Sequence, residues 1–448
     1  MGRLFGTDGV RGTAGQYPLD TPTIRRLGAA LARALRVGAD GVRVLAGRDT
    51  RESGGWIERE LATGIRSEAG TLTSAGVIPT PAIAYLTPRM GYTAGVVISA
   101  SHNPFGDNGI KVFSGTGEKF TERLENEVES IMETLPADSA GTQDERTVEQ
   151  IDYRSTYISH LLDILPPHHS HAARRIVVDC ANGATTTVAP DLFARLRFDA
   201  HHIGNAPDGR NINLGCGSTA PALLARTVVE GKYSLGIAYD GDGDRAIFVD
   251  AGGRVVDGDA VMLMCARQMK AEGRLKGNAV VATVMSNIGL EIALRDAGIE
   301  LVRCPVGDKY VMEEMLKRGL SLGGEQSGHV IFSEYLFTGD GLATSLNVLR
   351  TIASTGRELA DLASDLTTYP QVLLNLRVER KVDLTSVPEI AAVMSAVESR
   401  LAGHGRLLVR YSGTEPLLRV MLEGRDEAEI HRWGQEIVDA VRQHAKSR

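Results

Sequence analysis

The chain has 448 residues, of which 43% are hydrophobic and 23% charged, a composition typical of a globular protein with three or four domains. The net charge of −7 argues against a nucleic-acid partner. The N-terminus lacks a signal-peptide core and no apolar run is long enough for a membrane span, so the sequence predicts a cytoplasmic protein without a membrane partner. Because no two cysteines form a CxxC pair, we expect reduced, buried thiols at Cys180, Cys216, Cys265 and Cys304.

Helical patterns recur along the chain. The first begins at Thr21–Pro22, where threonine is expected to be the N-cap and proline the first helical residue. Gly70 is expected to end the second helix as a C-cap. Apolar side chains at helical spacing mark one face of each predicted helix: Ile24, Leu27, Leu31 and Leu35; Ile57, Leu61 and Ile65; Leu124, Val128, Ile131 and Leu135; Ile430, Trp433, Ile437 and Val441.

Strand patterns alternate with these helices and come in three similar pairs, each ending in a polar loop. The first members are residues 42–50, 175–183 and 278–287, and the second members are residues 95–104, 235–245 and 320–329. Alternating strands and helices predict parallel or mixed sheets, in which ligands bind beyond the carboxyl ends of the strands. We therefore expect the three second-member loops to converge on one cleft.

Polar gaps divide the chain into four predicted domains. Residues 136–155 separate the first from the second, residues 250–259 form a turn before the third, and residues 366–371 introduce a shorter last domain. The predicted fold class is α/β, with three similar mixed α/β domains followed by a smaller C-terminal α+β domain. The predicted boundaries are residues 1–150, 151–253, 254–368 and 369–448.

The first polar loop, "SASHNP", ends a buried strand with Ser101, and "DNGIK" follows it with Lys111. Ser101 is not in a G-x-S-x-G elbow, so acyl-transfer chemistry has little support. A serine can instead carry a phosphoryl group, whose charge of about −1.5 to −2 a lysine can neutralise. Taken alone, however, this stretch is better explained as a polar turn with a surface lysine.

The second loop, "YDGDGDRAIF", places Asp240, Asp242 and Asp244 at alternate positions with glycines between them. Three carboxylates this close repel one another, so a bound cation such as Mg²⁺ explains them better than an acidic turn does. An EF-hand is excluded, because Arg245 stands in place of the required glycine and Ala251 in place of the final glutamate. The planar guanidinium of Arg245 suits a phosphate oxygen.

The third loop, "GGEQSGHVIF", presents Glu325, Ser327 and His329 at alternate positions. In an extended segment these side chains would face one way. Glutamate and serine suit sugar hydroxyls, and a histidine can act as a general base. By itself the loop is equally compatible with an ordinary turn beside a core histidine.

The fourth loop, "RYSGTEPLLR", combines Arg410 and Arg419 with two hydroxyls and a glycine. Two guanidinium groups beside a Ser-Gly-Thr turn are better explained by a bound phosphate than by a polar turn alone. The N-terminal "FGTDGVRG" adds Arg11, which fits either the same cleft or a flexible glycine-rich terminus.

Together these loops resemble the α-D-phosphohexomutase family over essentially the whole chain. "SASHNP", "DGDGDR", "GEQSGH" and "SGTEP" occur in the family's order and at its spacing. The resemblance implies four domains around a central cleft. "FGTDGVRG", "GEQSGH" and "CGSTAP" are most similar to the bacterial branch that interconverts glucosamine 6-phosphate and glucosamine 1-phosphate, in the synthesis of UDP-N-acetylglucosamine and cell-wall precursors. A phosphomannomutase or phosphoglucomutase with the same mechanism is the alternative.

The resemblance also implies a role for each matching residue. Ser101 is the phosphoserine and holds Mg²⁺ together with Asp240, Asp242 and Asp244. Lys111 and His329 are the acid and the base, in an order that stays open, and Arg245 is a further catalytic residue. Glu325 and Ser327 bind the sugar. The residues that bind phosphate are Arg11, Arg410, Ser412, Gly413, Thr414 and Arg419. The family commonly has proline where Tyr411 stands, so we expect a looser turn there.

In this mechanism the phosphoryl group of Ser101 passes to the sugar, giving glucosamine 1,6-bisphosphate, and the other phosphate then returns to Ser101. Glucose 1,6-bisphosphate is an alternative activator. The expected partner is a small-molecule sugar phosphate, and a homodimer is one alternative for the assembly. Two rival classes are a phosphatase, in which water takes the phosphoryl group, and a silent sugar-phosphate sensor, which would have lost the serine or the carboxylates.

Overall fold

The computed structural model describes residues 4–6, 8–36, 41–136, 147–165, 174–378, 380–401, 403–412 and 416–446. The chain divides into two compact units. The first contains Met1–Met285 and Ile299–Ser364, and the second contains Ser286–Gly298 and Asp365–Arg448. Three β-sheets belong to the first unit and one to the second.

The first sheet is formed near the start of the chain. Its strands are β1 (Val10–Thr13), β2 (Arg43–Arg48), β3 (Thr71–Val77), β4 (Ala94–Ile98), β5 (Asp107–Ser114) and β6 (Glu149–Gln150). The helices of this stretch are α1 (Thr21–Ala34), α2 (Gly54–Ser67), α3 (Thr80–Arg89) and α4 (Glu122–Thr134). The spatial order of the strands is β1-β5-β4-β2-β3-β6.

The second sheet follows. Its strands are β7 (Arg175–Asp179), β8 (Asp199–Ile203), β9 (Leu235–Tyr239), β10 (Ala246–Asp250) and β11 (Val255–Val256). The α-helices are α5 (Arg154–Leu162), α6 (Ala189–Arg195) and α7 (Ala222–Gly231), and a 3₁₀ helix covers Ala184–Thr187. The spatial order is β11-β10-β9-β7-β8.

The third sheet has four strands: β12 (Ala279–Thr283), β13 (Glu300–Cys304), β14 (Leu322–Gly324) and β15 (Val330–Phe332). Their spatial order is β13-β12-β14-β15. The α-helices of this stretch are α8 (Gly258–Ala271), α9 (Ile288–Asp296), α10 (Asp308–Arg318), α11 (Gly341–Thr355) and α12 (Leu359–Ser364), and a 3₁₀ helix covers Lys276–Asn278. Helix α9 belongs to the second unit, which the linear order of the sequence patterns did not indicate.

The second unit carries the fourth sheet, which is antiparallel. Its strands are β16 (Gln371–Arg377), β17 (Arg406–Tyr411) and β18 (Leu417–Glu423), in the order β16-β18-β17. Its other helices are a 3₁₀ helix at Leu384–Ser386, α13 (Pro388–Leu401) and α14 (Glu427–Lys446). The predicted apolar face of the last helix is confirmed, because Ile430, Ile437 and Val441 are buried in the core of this unit.

The first three sheets repeat one topology, as the paired strand patterns predicted. In each, a central strand (β2, β7 or β12) lies between two parallel neighbours, and the chain then turns back into an antiparallel strand. The second member of each predicted pair is the strand before that turn, namely β4, β9 or β14. The predicted mixed α/β fold class is therefore confirmed.

Two predicted helix ends are wrong by one or two residues. The N-cap of α1 is Asp20, whose carboxylate accepts a hydrogen bond from the N–H of Thr23, and Thr21 is already helical. Helix α2 ends at Ser67, and Ala69 takes the left-handed conformation (φ 59°), so the chain turns before it reaches Gly70. Helix α1 therefore begins one residue earlier than predicted. The side chain of Asp20 accepts a hydrogen bond from Thr23, one of the first-turn N–H groups that have no partner within the helix.

Among the described residues, no helix has both the length and the apolar character that crossing a membrane demands. The cysteines Cys180, Cys216, Cys265 and Cys304 are buried free thiols, as predicted.

Glycines allow the backbones of α1 and α2 to touch. A Cβ atom added at Gly64 would lie 2.0 Å from the carbonyl oxygen of Arg25, and one at Gly28 would lie 2.4 Å from the carbonyl oxygen of Leu61. These helices cover the core of the first sheet, where Leu27, Leu61 and their neighbours are buried. The close approach therefore depends on the absence of two side chains.

We expect Gly64→Ala to lower the free energy of unfolding by about 1–3 kcal/mol, because its methyl group forces the two helices apart. Gly55→Ala in the same helix is the matched control, since outside the backbone of its own helix the added methyl group meets only the end of the flexible Arg59 side chain, at 3.7 Å. That control should be neutral or slightly stabilising, as alanine favours helix over glycine. Thermal melting of the two variants beside the parent measures this, and equal melting temperatures for Gly64→Ala and the parent would contradict it.

Candidate active site

Ser101 lies in the turn between β4 and β5, at the end of a buried strand. The residue is buried and its backbone is in the left-handed region (φ 51°), which residues with a side chain seldom adopt. Its Oγ donates a hydrogen bond to Oδ2 of Asp240 at 2.5 Å. It also lies 3.3 Å from Nδ1 of His102. The turn therefore presents the hydroxyl of Ser101 to the loop that follows β9.

The carboxylates of Asp240, Asp242 and Asp244 converge in the turn between β9 and β10. One oxygen from each lies within 4.8 Å of the others, and all three residues are buried. Gly243 makes the tight turn with φ 73°. Oδ2 of Asp242 accepts from Oγ1 of Thr80 at 2.6 Å.

Two oxygens of this cluster accept no hydrogen bond. Within the described part of the chain, Oδ1 of Asp242 and Oδ1 of Asp244 are buried and accept no hydrogen bond. Buried, unpartnered carboxylate oxygens are costly unless a cation binds them. Their number and chemistry fit a hard divalent cation such as Mg²⁺.

Two carboxyls of the cluster have pKa values that are shifted in opposite directions. Burial raises the pKa of Asp240 well above its usual range, and the neighbouring carboxylates of Asp244 and Asp242 raise it further. Burial also acts to raise the pKa of Asp244, but Lys111 and His329 outweigh it and hold that pKa well below its usual range. A bound cation would favour the charged form of all three carboxylates.

Lys111 on β5 is the buried cation nearest the cluster. Its Nζ lies 2.9 Å from Oδ2 of Asp242, 3.3 Å from Oδ2 of Asp244 and 3.3 Å from Oδ2 of Asp8. Burial alone would lower the pKa of Lys111, but these carboxylates raise it well above its usual value. In this arrangement Lys111 is an ammonium at neutral pH, able to donate a proton or a hydrogen bond.

The third loop is a tight turn, which corrects the expectation of an extended segment. The N–H of Gly328 donates to the carbonyl oxygen of Glu325 at 3.0 Å, and Gly328 adopts φ 92°. The alternation therefore does not direct Glu325, Ser327 and His329 to one side. Ser327 is exposed, whereas His329 is buried.

His329 faces the aspartate cluster from this turn. Its Nδ1 lies 3.6 Å from Oδ2 of Asp244, and its Nε2 accepts a hydrogen bond from the N–H of Gly339 at 3.0 Å. Burial acts to lower the pKa of His329, but the carboxylates of Asp244 and Asp308 outweigh it and raise the pKa. In the neutral ring the proton is on Nδ1, toward Asp244.

The rest of the third loop is tied to neighbouring elements. Oε1 of Glu325 accepts from the N–H of Gly307 at 3.2 Å. Nε2 of Gln326 donates to Oδ2 of Asp257, the N-cap of α8, at 3.1 Å. The carbonyl oxygen of Gly328 accepts from the N–H of Ala246 at 3.1 Å. The three second-member loops therefore meet, as predicted.

Arg245 follows the aspartate turn directly. Its N–H donates to Oδ1 of Asp240 at 3.2 Å, and its Nε lies 3.8 Å from Oδ1 of Asp244. Burial acts to lower the pKa of Arg245, but Asp244 and Asp240 outweigh it and raise the pKa.

An ion-pair network beside Lys111 was not predicted. Asp8 pairs with Arg11 and Lys111, and its Oδ1 lies 2.9 Å from Nζ of Lys119. Lys119 also pairs with Asp308 at the start of α10. Burial acts to raise the pKa of Asp8, but these cations outweigh it and hold the pKa well below its usual range. The only hint in the sequence was the motif around Arg11, because the other partners are far apart along the chain.

The fourth loop lies in the second unit. Arg410 on β17 and Arg419 on β18 are directly opposite each other in the antiparallel ladder, so they share a face. Ser412 is buried, and its N–H donates to the carbonyl oxygen of Leu417 at 2.8 Å. Gly413 and Thr414 lie outside the described residues.

Tyr411 anchors the strand before this loop. Its hydroxyl donates to the carbonyl oxygen of Val382 at 2.9 Å and accepts from the N–H of the same residue at 3.1 Å. Nζ of Lys381 donates to the carbonyl oxygen of Ser412 at 2.8 Å. A tyrosine in this position thus fixes the approach to the turn through hydrogen bonds.

Models of one protein family match nearly the whole chain. They are the phosphoglucomutase/phosphomannomutase α/β/α domain I at residues 2–138, domain II at residues 155–253, domain III at residues 257–369 and the C-terminal domain at residues 373–440.

Individual relatives and solved structures agree with that match. The phosphoglucosamine mutase of Syntrophotalea carbinolica is 48% identical over 446 residues, which cover 99% of this chain and 98% of the relative. A phosphoglucomutase/phosphomannomutase family protein from Burkholderia thailandensis has a TM-score of 0.81 at 23% identity and covers 99% of this chain and 98% of its own. The Aspergillus fumigatus N-acetylphosphoglucosamine mutase, in complex with GlcNAc-6P and magnesium, has a TM-score of 0.69 at 18% identity, with coverage of 99% and 96%.

A buried ion pair fastens α10 to α4 beside the network of Asp8. Nζ of Lys309 lies 3.0 Å from Oε2 of Glu125, and both side chains are largely buried. Lys309 is next to Asp308 and close in sequence to Gly307, which holds Glu325. The pair therefore fixes the segment that supports both the third loop and Lys119.

We expect Lys309→Glu to lower the free energy of unfolding by about 3–5 kcal/mol, because it leaves two buried carboxylates facing each other. The double variant with Glu125→Lys should recover much of that loss. Arg318→Glu in the same helix is the control, since Arg318 pairs with Glu314 at the surface, where a pair contributes about 0–1 kcal/mol. Denaturant unfolding measures all three, and no recovery in the double variant would refute the pairing.

Proposed function

The chain belongs to the phosphoglucomutase/phosphomannomutase family, and we propose that it interconverts glucosamine 6-phosphate and glucosamine 1-phosphate through a phosphoserine at Ser101. This is the activity of an isomerase that moves a phosphoryl group between two positions of an amino sugar. The 48% identity to the phosphoglucosamine mutase of Syntrophotalea carbinolica supports the choice of sugar. Its product would serve the synthesis of UDP-N-acetylglucosamine.

The observation that carries the proposed chemistry is the contact between Ser101 and the aspartate cluster. The 2.5 Å hydrogen bond from Oγ to Asp240 supports the proposal, because it joins the hydroxyl to a carboxylate cluster that also pairs with the ammonium of Lys111. Phosphoryl transfer requires mainly positioning and charge stabilisation, which such an arrangement supplies.

In the first half-reaction the bond between phosphorus and Oγ of Ser101 breaks, and a bond forms between phosphorus and the sugar's O1 or O6. The hydroxyl proton leaves to a base, for which the imidazole of His329 is our candidate once its Nε2 is released from the N–H of Gly339. The ammonium of Lys111 neutralises charge that develops on the transferring oxygens and can protonate Oγ. The second half-reaction reverses these steps with the other phosphate, so Ser101 regains a phosphoryl group.

Mg²⁺ is the proposed cofactor. Asp240, Asp242, Asp244 and an oxygen of the phosphorylated Ser101 would hold it, and when bound it would supply Lewis-acid stabilisation of the phosphoryl oxygens. The unpartnered oxygens of the cluster support this assignment, as does the magnesium bound by the Aspergillus fumigatus relative.

The remaining roles are proposals from the family resemblance. Glu325 and Ser327 would bind the sugar, and Arg245 and Arg11 would contact phosphate oxygens. The described residues Arg410, Ser412 and Arg419 of the second unit have the donors that a phosphate site requires, as do Gly413 and Thr414 by their residue type. Glucosamine 1,6-bisphosphate would be the intermediate, with it or glucose 1,6-bisphosphate as activator.

The alternative is a phosphomannomutase or phosphoglucomutase with the same mechanism. Gln326, the other long polar residue of the third loop, already donates a hydrogen bond to Asp257 through its side-chain amide. The choice between sugars therefore depends on the relatives and on Glu325, whose carboxylate suits the ammonium group of glucosamine.

We expect kcat/KM for glucosamine 6-phosphate to exceed that for glucose 6-phosphate and mannose 6-phosphate by at least about 10-fold, the discrimination that one well-placed polar contact can supply. Each sugar is given separately with Mg²⁺ and a trace of a sugar 1,6-bisphosphate. Ser101→Ala is the control, and it should be inactive with every sugar. Preference for glucose or mannose would move the activity to the alternative. Full turnover by Ser101→Ala would refute the phosphoserine, and phosphate release faster than isomer formation would indicate a phosphatase.

We also expect Mg²⁺ to raise the melting temperature of the parent protein, because a ligand that binds the folded state stabilises it by mass action. Asp240→Asn should remove this response, while its melting temperature without metal should equal or exceed that of the parent, since one buried charge is gone. Asp191→Asn, at a surface pair with Arg195, is the control and should respond like the parent. An unchanged Mg²⁺ response in Asp240→Asn would contradict the proposed site.

A further inference from the structure

The loop of Ser101 directs several carbonyl oxygens to one buried point. The guanidinium of Arg51, which is buried, donates to the carbonyl oxygens of Ser101 at 3.0 Å, Asn103 at 2.8 Å and Asp107 at 3.0 Å, and also to that of Pro104. Five N–H donors in a rigid plane suit such a convergence. Arg51, which lies between β2 and α2, therefore holds the backbone of this loop through its carbonyl oxygens.

The backbone N–H of Ser101 is also held by residues of the first sheet's part of the chain. Its N–H donates to Oγ of Ser99 at 2.9 Å, and that hydroxyl donates to Oδ2 of Asp49 at 2.6 Å. Oδ2 of Asp49 also accepts from Nε of Arg51 at 2.8 Å. These bonds set the shape of the loop, but they do not set its position relative to the aspartates, which follow β9 of the second sheet.

Asn213 supplies a further connection from the second sheet's part of the chain, one that holds the backbone of the loop. It lies between β8 and α7, and its N–H donates to the carbonyl oxygen of Ala181 at 2.9 Å. Its Nδ2 donates to the carbonyl oxygens of Ser101 at 2.9 Å and Asn103 at 3.1 Å. The carboxamide of Asn213 thus donates to two of the carbonyl oxygens to which Arg51 also donates.

The backbone of the turn that carries the three aspartates packs closely against this contact. A Cβ atom added at Gly241, between Asp240 and Asp242, would lie 2.5 Å from the carbonyl oxygen of Ser101 and 2.9 Å from Nδ2 of Asn213. The backbone of the turn, the carbonyl of Ser101 and the amide of Asn213 are therefore packed against one another. A small movement of the amide would change the distance between Oγ of Ser101 and Asp240.

We propose that Asn213 is a positioning residue for phosphoryl transfer, whose carboxamide fixes the carbonyl oxygens of Ser101 and Asn103 and thereby sets the place of Oγ relative to the aspartate cluster. The inference rests on the proposed function, because it assigns Asn213 a part in the reaction of Ser101. Asn213 would act through the loop, because its carboxamide hydrogen-bonds the backbone carbonyl oxygens of Ser101 and Asn103.

Two substitutions separate this role from a structural one. Asn213 has φ 59°, so Asn213→Gly removes the amide and relieves the backbone conformation rather than straining it. Asn213→Asp keeps the shape and tolerates the same conformation, but it places a carboxylate oxygen against two carbonyl oxygens. The control is Asn278→Gly, an exposed residue with φ 50° in the turn before β12.

We expect both variants at position 213 to lower kcat by about 10- to 100-fold, the effect of misplacing a reacting atom, with KM for the sugar phosphate changed less than threefold. The loss should be greater for Asn213→Asp. The rate at which glucose 1,6-bisphosphate phosphorylates Ser101, followed by intact mass, should fall by the same factor. Asn278→Gly should retain the kcat of the parent, and all variants should melt within a few degrees of it.

The outcomes distinguish the two proposals. An active parent with unchanged kcat in Asn213→Asp and Asn213→Gly overturns the role of Asn213 and leaves the proposed function intact. A rise in KM with no fall in kcat, or a fall in kcat without slower phosphorylation of Ser101, also overturns it. If the parent phosphorylates no serine and converts no sugar phosphate, the proposed function fails first.

Discussion

The organisation of the site follows from the negative charge buried at the end of β9. Asp240, Asp242 and Asp244 present three carboxylates within a few ångströms of each other, and burial makes each unpaired charge costly. Thr80, Lys111 and the N–H of Arg245 offset part of this cost. Two of the oxygens accept no hydrogen bond among the described residues, and their chemistry suits a hard cation.

The repeated topology explains why such different side chains meet. In each of the first three sheets the chain leaves a parallel strand and turns back into an antiparallel one, so all three turns lie beyond a strand's carboxyl end. The first turn carries Ser101, the second the aspartates, and the third His329. A scaffold repeated three times therefore brings together a serine hydroxyl, a cluster of three carboxylates and a histidine from sites far apart in sequence.

Sequence patterns anticipated the features that are local in the chain. The strand pairs, the aspartate cluster and the position of Ser101 follow from apolar runs that stop at polar residues. The contacts of Arg51, Asn213 and Asp8 could not be predicted, because each joins segments separated by many residues and leaves no periodic signal. The expected alternation of Glu325, Ser327 and His329 failed for a local reason, since Gly328 permits a turn where a strand was assumed.

If Ser101 carries a phosphoryl group as proposed, its phosphorylation and cation binding would be coupled by charge. A phosphoserine would add a charge of about −1.5 to −2 beside three buried carboxylates. Lys111 already pairs with Asp242 and Asp244, so it would neutralise the new charge only by giving up part of that pairing. A divalent cation held by the cluster would offset this negative charge. By linkage, such a cation would favour the phosphorylated serine to the same extent that the phosphoserine favours the cation.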